Sequence, residues 1–178
     1  DAHRQSALMI AAFAMLATPL GIWLLMHTSP DLARLMIAGI AIGAFVLVLL
    51  PQRGQLRPGP KETALTGIAS GVLTGFAAMP GPPVVPFYLR QPIPPTEARA
   101  SMMLVFFATA IAGTISSFAL GLANARLLWL SLLLFPSVLA GNWLGAKSFG
   151  RVPPNVWRSF VAAVLGVAGL SAVLRLLN

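Results

Sequence analysis

Twelve basic and four acidic residues divide the 178-residue chain into six long uncharged stretches. They cover residues 5–30, 35–52, 63–89, 100–125, 127–146 and 159–174. A helix needs about 20 mainly apolar residues to cross a ~30 Å hydrocarbon core, so most of these stretches are long enough to span. Charged residues make up 9% of the chain and apolar ones 57%, against about 25% and roughly 45–50% in soluble domains. The chain therefore reads as a polytopic, all-α integral membrane bundle, and a soluble enzyme is excluded.

The net charge is +8, but the basic residues stand singly between apolar runs, at positions such as Arg34, Arg90, Arg126 and Lys147. That is how loop and interface anchors are distributed. No basic face forms, which excludes nucleic acid as a partner. With no cysteine, two histidines and four acids, neither a metal site nor a thiol centre is expected. No paired-carboxylate, Ser-His-Asp or phosphate-loop arrangement occurs, so no catalytic residue and no cofactor is assigned, and the chain is read as a non-enzyme.

Segment one (about Gln5 to Met26) and segment two (about Asp31 to Leu50) are joined by the polar turn His27-Thr28-Ser29-Pro30. Pro30 and Asp31 signal a helix start, because a first-turn proline loses no needed N–H and an acid there suits the dipole. The one linker is 51–62, with three prolines and two glycines. Segment three begins near Thr63 and carries Gly67, Gly71 and Gly75 four apart, a helix-packing face that lets a neighbour approach closely in lipid. Segments four (about Thr96 to Leu122), five (about Leu127 to Ala146) and six (about Pro154 to Leu177) follow.

An internal repeat appears at an offset of 124 residues. Leu20-Gly21 aligns with Leu144-Gly145, Pro30 with Pro154, Arg34 with Arg158, Ala38 with Ala162, Ala44 with Ala168 and Leu50 with Leu174. Many transporter folds are built from such duplications. The chain then divides into 1–50, the last hairpin of a first repeat; 51–62, a loop; and 63–178, a second repeat of four helical segments. The duplication predicts a further helical pair upstream of segment one. If all six segments span in alternation, each side receives six basic residues, and no orientation follows.

The stretch Met79-Pro80-Gly81-Pro82-Pro83-Val-Val-Pro86 is too rich in proline to remain a regular helix. It is either a surface loop or a proline/glycine break at membrane depth, where unwound backbone must be buried or line a watery cavity. In the second case Pro80, Gly81, Pro82 and Pro83 are candidate substrate-binding positions, through half-helix N–H groups aimed at an anion. Arg99, at the start of segment four, is the candidate charge partner, and Ser101 a further contact. Arg90 reads as an interfacial anchor. The other hydroxyls of segment four, Thr109, Thr114, Ser116 and Ser117, suit interhelical hydrogen bonds. Trp23, Trp129, Trp143 and Trp157 lie towards segment ends, as an interfacial belt would have them.

The run from Gly67 through Gly71 and Gly75 to Gly81-Pro82-Pro83, then Pro86-Phe-Tyr-Leu, then Glu97-Ala-Arg99-Ala-Ser101, resembles the sulfite exporter TauE/SafE family. The hairpins Pro19–Arg34 and Ala140–Arg158 agree with it. The resemblance covers nearly the whole chain. It implies a multi-pass inner-membrane permease of about eight helices in two repeats, moving sulfite, organosulfonates or other small anions by secondary transport. The implied partners are the anion, the bilayer and a coupling ion, and a homo-oligomer is compatible with it. The rival class is a non-transporting membrane subunit or truncated half-transporter that acts through its glycine face.

Overall fold

The computed structural model describes residues 2–49 and 58–148. All the regular structure among them is helical: α1 (Ala2–Met26), α2 (Pro30–Leu49), α3 (Pro60–Ala77), α4 (Gly81–Leu89), α5 (Pro95–Ala119) and α6 (Ala125–Ser148). By length and composition, α1 from Arg4, α5 and α6 are candidate membrane spans. The sixth expected segment, with Trp157 and the second copy of the repeat from Pro154 onward, lies outside the described residues, as does most of the linker.

The helix starts follow from local chemistry. At α2, Pro30 and Asp31 occupy the first turn, and Asp31 pairs with Arg34 at 3.2 Å. At α3 the helix begins three residues before the expected Thr63. Pro60 loses no N–H that the first turn needs, and the Glu62 carboxylate accepts from the Gly59 N–H at 2.9 Å, the half of a capping box that a glycine N-cap allows, and it extends the helix backwards.

Three long helices run in the same direction. Along α3, Gly67 lies against Ile10 and Phe13, Gly71 against Ala14 and Ala17, and Gly75 against Thr18 and Ile22. The two numberings rise together, so α1 and α3 are parallel. Gly21 of α1 completes the seam against Val72 and Gly75. Helix α5 is parallel to α1 as well. Ser6 and Ser101 both stand beside the Tyr88 hydroxyl, and at the same spacing along both helices Thr18 stands over Gly113. The core cluster Ala7, Ile10, Ala11, Val84, Tyr88, Ala98 and Val105 joins α1, α4 and α5 at that lower level. Helix α6 buries no residue against the rest of the described chain.

Because α3 and α5 are parallel, α4 must carry the chain back between them, and it does so within nine residues, about 13 Å at 1.5 Å per residue. The proline-rich run is more helical than its composition predicts. Only Ala78, Met79 and Pro80 lie outside helix, and the expectation of unwound chain through Pro86 is corrected. Pro82 and Pro83 fall in the first turn of α4, where the missing N–H groups would have had no intrahelical partner.

Candidate functional site

Helix α3 ends in a Schellman-type turn. The N–H of Ala78 donates to the Thr74 carbonyl at 2.8 Å, and that of Met79 to the Leu73 carbonyl at 3.3 Å. Ala78 takes the left-handed conformation, φ 54°, which glycine usually supplies at this position. The chain then folds back along α3, and the Ser70 hydroxyl donates to the Pro80 carbonyl at 3.1 Å. Ser70, itself fully buried, falls between Gly67 and Gly71, beside the middle of the α1 span. Pro80, at the end of the α3–α4 junction, therefore stands beside the middle of α1.

A cleft of about 560 Å³ opens from this junction. It is walled by Ile22 and Leu25 of α1, Ile37 of α2, the last residues of α3 with Ala78 and Pro80, and the Phe106–Ser117 stretch of α5. Its hydroxyl-bearing residues are Thr74, Thr109, Thr114 and Ser117, and no charged side chain lines it. Three of these hydroxyls spend their proton on their own helix. Thr74 donates to the Ser70 carbonyl at 2.7 Å, Thr109 to Phe106 at 3.0 Å and Thr114 to Ala110 at 2.8 Å.

The sequence-predicted site residues separate into two levels. Pro80 lines the cleft together with Thr109, and Gly81, Pro82 and Pro83 form the first turn of α4. In that turn Gly81 alone has an N–H. Arg99 and Ser101 lie at the opposite end of α4. Ser101 is buried beside Tyr88, and Arg99 is partly buried in the first turns of α5. From Arg99 to Thr109 is about 15 Å along the helix at 1.5 Å per residue. The structure thus does not bring Arg99 to the start of α4.

Tyr88 is the residue that sequence reading missed. Its side chain is 1% exposed, and its hydroxyl makes no hydrogen bond of standard geometry, although the Ser6 and Ser101 hydroxyls stand next to it. No periodicity marks it, because it sits in a helix too short to show one. Gly21 was missed too, but there a signal exists. Ala14, Thr18 and Gly21 recur four and three apart, small residues on the α1 face that meets α3.

Comparison with known proteins gives a consistent match. The family described as sulfite exporter TauE/SafE matches residues 1–172. A protein of Cupriavidus necator named "Probable sulfite/organosulfonate exporter TauE" is 28% identical over 151 residues, 84% of this chain. The chain spans 59% of that relative's length. No solved structure matches.

Proposed function

The chain belongs to the sulfite exporter TauE/SafE family, and from that premise we propose that it is part of a secondary transporter for small anions of the sulfite and organosulfonate type. The observation that carries the reading is the α3–α4 junction beside the middle of α1 and next to a cleft. Helix-interrupted chain at that depth is tolerated only where protein buries it or a cavity needs it, and transporters place substrate and ion sites there. A subunit that acts only through helix packing has no use for such a cleft. Arg99 is the charge that draws the anion in. The start of α4, Pro80–Pro83, supplies shape and the single Gly81 N–H, and Ser101 a hydroxyl. The two levels act in sequence along the path of the anion.

The path of α4 also bears on orientation. The ends of α1, α3 and α5 that lie together carry Arg4, Lys61 and Arg99, with Arg90 at the close of α4; the opposite ends carry Arg34 and Arg126. The sequence adds Arg53 and Arg57 between α2 and α3. Alternating spans had set Arg90 and Arg99 opposite Lys61, and the parallel α5 removes that balance. The positive-inside rule then supports a cytoplasmic start for α1 in the inner membrane, with the cleft reaching from mid-depth towards the outer face. The offset-124 repeat supports a two-repeat transporter in which residues 63–178 are the second repeat and 1–50 close the first.

The test is flux of labelled sulfite into proteoliposomes holding the full-length gene product, with Arg99→Ala and Arg99→Lys beside it. Saturable flux that falls at least tenfold in Arg99→Ala, and recovers in part in Arg99→Lys, is the expected outcome. Saturable flux unchanged in Arg99→Ala removes Arg99 from the path. No flux of sulfite or of competing organosulfonates returns the chain to the subunit reading.

A further inference from the structure

We infer that the cleft at the α3–α4 junction is a binding site for a small monovalent cation, sodium, held by backbone carbonyls at the end of α3 and the hydroxyl oxygens of Thr74 and Thr109.

The residues that line the cleft bring acceptors that lack their usual donors. A helix leaves its last four carbonyls without intrahelical partners, and here the turn that follows makes the deficit specific. The Met79 N–H, which would serve the Gly75 carbonyl in a continued helix, donates to Leu73 instead. The next residue, Pro80, has no N–H to give to the Phe76 carbonyl. Gly75, Phe76 and Ala77 all line the cleft. The negative end of the α3 dipole, equivalent to roughly half an elementary charge, lies at the same place. Thr74 and Thr109 have spent their protons on Ser70 and Phe106, so their oxygens are left with lone pairs only. On the donor side, the prolines at 82 and 83 strip the first turn of α4 to the Gly81 N–H. The negative end of α3 suits a cation in the cleft, while the Gly81 N–H at the start of α4 remains for the anion.

The charge of the ion follows from what is missing in the lining. No Asp or Glu lines the cleft, and hard divalent cations are held chiefly by carboxylates. A transported proton needs a titratable group, and the cleft has none. An alkali cation needs only neutral oxygens, which is how half-helix C-termini and unwound carbonyls hold coupling ions in other transporter folds. As a coupling site it rests on the transport reading above; as a binding site it does not.

The experiment is a thermal-stability titration of the purified protein in detergent, with sodium chloride against choline chloride at constant ionic strength and no anionic substrate added. An ion that binds only the folded state raises the midpoint in a saturable way. The expected result is a saturable rise with sodium and none with choline. Thr109→Val and Thr74→Val should each shift half-saturation upward at least tenfold, and Thr109→Ser, which keeps the oxygen, should stay within threefold of the parent. Equal curves for sodium and choline overturn the inference, as does a sodium response unchanged in both valine variants. A protein that responds to sodium but moves no anion keeps the cation site and sinks the transport reading. One that transports sulfite without responding to sodium does the reverse.

Discussion

Replacing Gly71 by alanine tests the α1–α3 seam most directly. A Cβ built at Gly71 would strike the carbonyl oxygen of Ala14 and come within 2.8 Å of the Ala17 Cβ and 2.9 Å of the Ala14 carbonyl carbon. These are backbone atoms and a methyl carbon, so no side chain can swing aside. The helices must part instead, by up to about 1 Å, and overpacking of that kind costs about 1–3 kcal/mol. Alanine returns some of this, because it is better than glycine in a helix interior by about 0.8–1.0 kcal/mol. The net expectation is destabilisation by about 0–2 kcal/mol, and by about 1–3 kcal/mol relative to a glycine-to-alanine change in open space. Gly39 on α2 is the control. Nothing lies within 4 Å of a Cβ there, so Gly39→Ala should be neutral or stabilising by up to about 1 kcal/mol. Gly71→Ala combined with Gly75→Ala should cost less than the two single changes together, since one separation of the helices relieves both. The assay is the fraction of monodisperse protein left after heating in detergent, read by size exclusion. If Gly71→Ala survives as well as Gly39→Ala, the close approach of α1 and α3 is refuted.

Other expectations follow from the junction and its supports. Ala78→Gly should stabilise by about 1 kcal/mol, because a left-handed residue with a Cβ costs roughly 1–2 kcal/mol; a lower thermal midpoint would contradict the φ of 54° at this position. Ser70→Ala leaves the Pro80 carbonyl without its 3.1 Å donor and should cost about 1–3 kcal/mol, read in the same heating assay. Tyr88→Phe removes a hydroxyl with no well-formed hydrogen bond and should change stability by less than about 1 kcal/mol. Tyr88→Ala empties a fully buried site and should cost about 3–5 kcal/mol, as large aromatic truncations do. The chain has no cysteine, so single cysteines report sidedness cleanly. An impermeant maleimide should label Ser29→Cys from outside the cell, and Lys61→Cys and Gln91→Cys only after permeabilisation. Labelling of Lys61→Cys and Gln91→Cys from opposite sides would refute the return path of α4.

Much of this architecture was legible in one dimension, because a bilayer imposes its constraints locally. A helix in lipid must satisfy its own backbone and stay apolar over its length, and both properties are written in consecutive residues. The uncharged runs therefore placed α1, α2, α5 and α6 to within a few residues. Gly67, Gly71 and Gly75, four apart, marked the face that meets α1, since side-chain periodicity on a helix is a property of spacing alone. The family resemblance likewise rested on short motifs that any reader of the chain can find.

What the tertiary structure decided was direction, level and separation. Proline density could not distinguish a surface loop from a junction beside the middle of α1, because Pro80 has the same local chemistry in both. The Ser70–Pro80 hydrogen bond, between residues ten apart in sequence, sets the level of Pro80 along α3. Nor could composition reveal that nine helical residues return the chain, make α5 parallel to α3 and gather Arg4, Lys61, Arg90 and Arg99 at one end. Arg99 and Pro80 looked like neighbours across a short turn, yet α4 holds them at different levels. Each of these outcomes depends on contacts between distant segments. Sequence spacing records where a side chain falls on its own helix, and only packing against the other helices fixes where that helix stands.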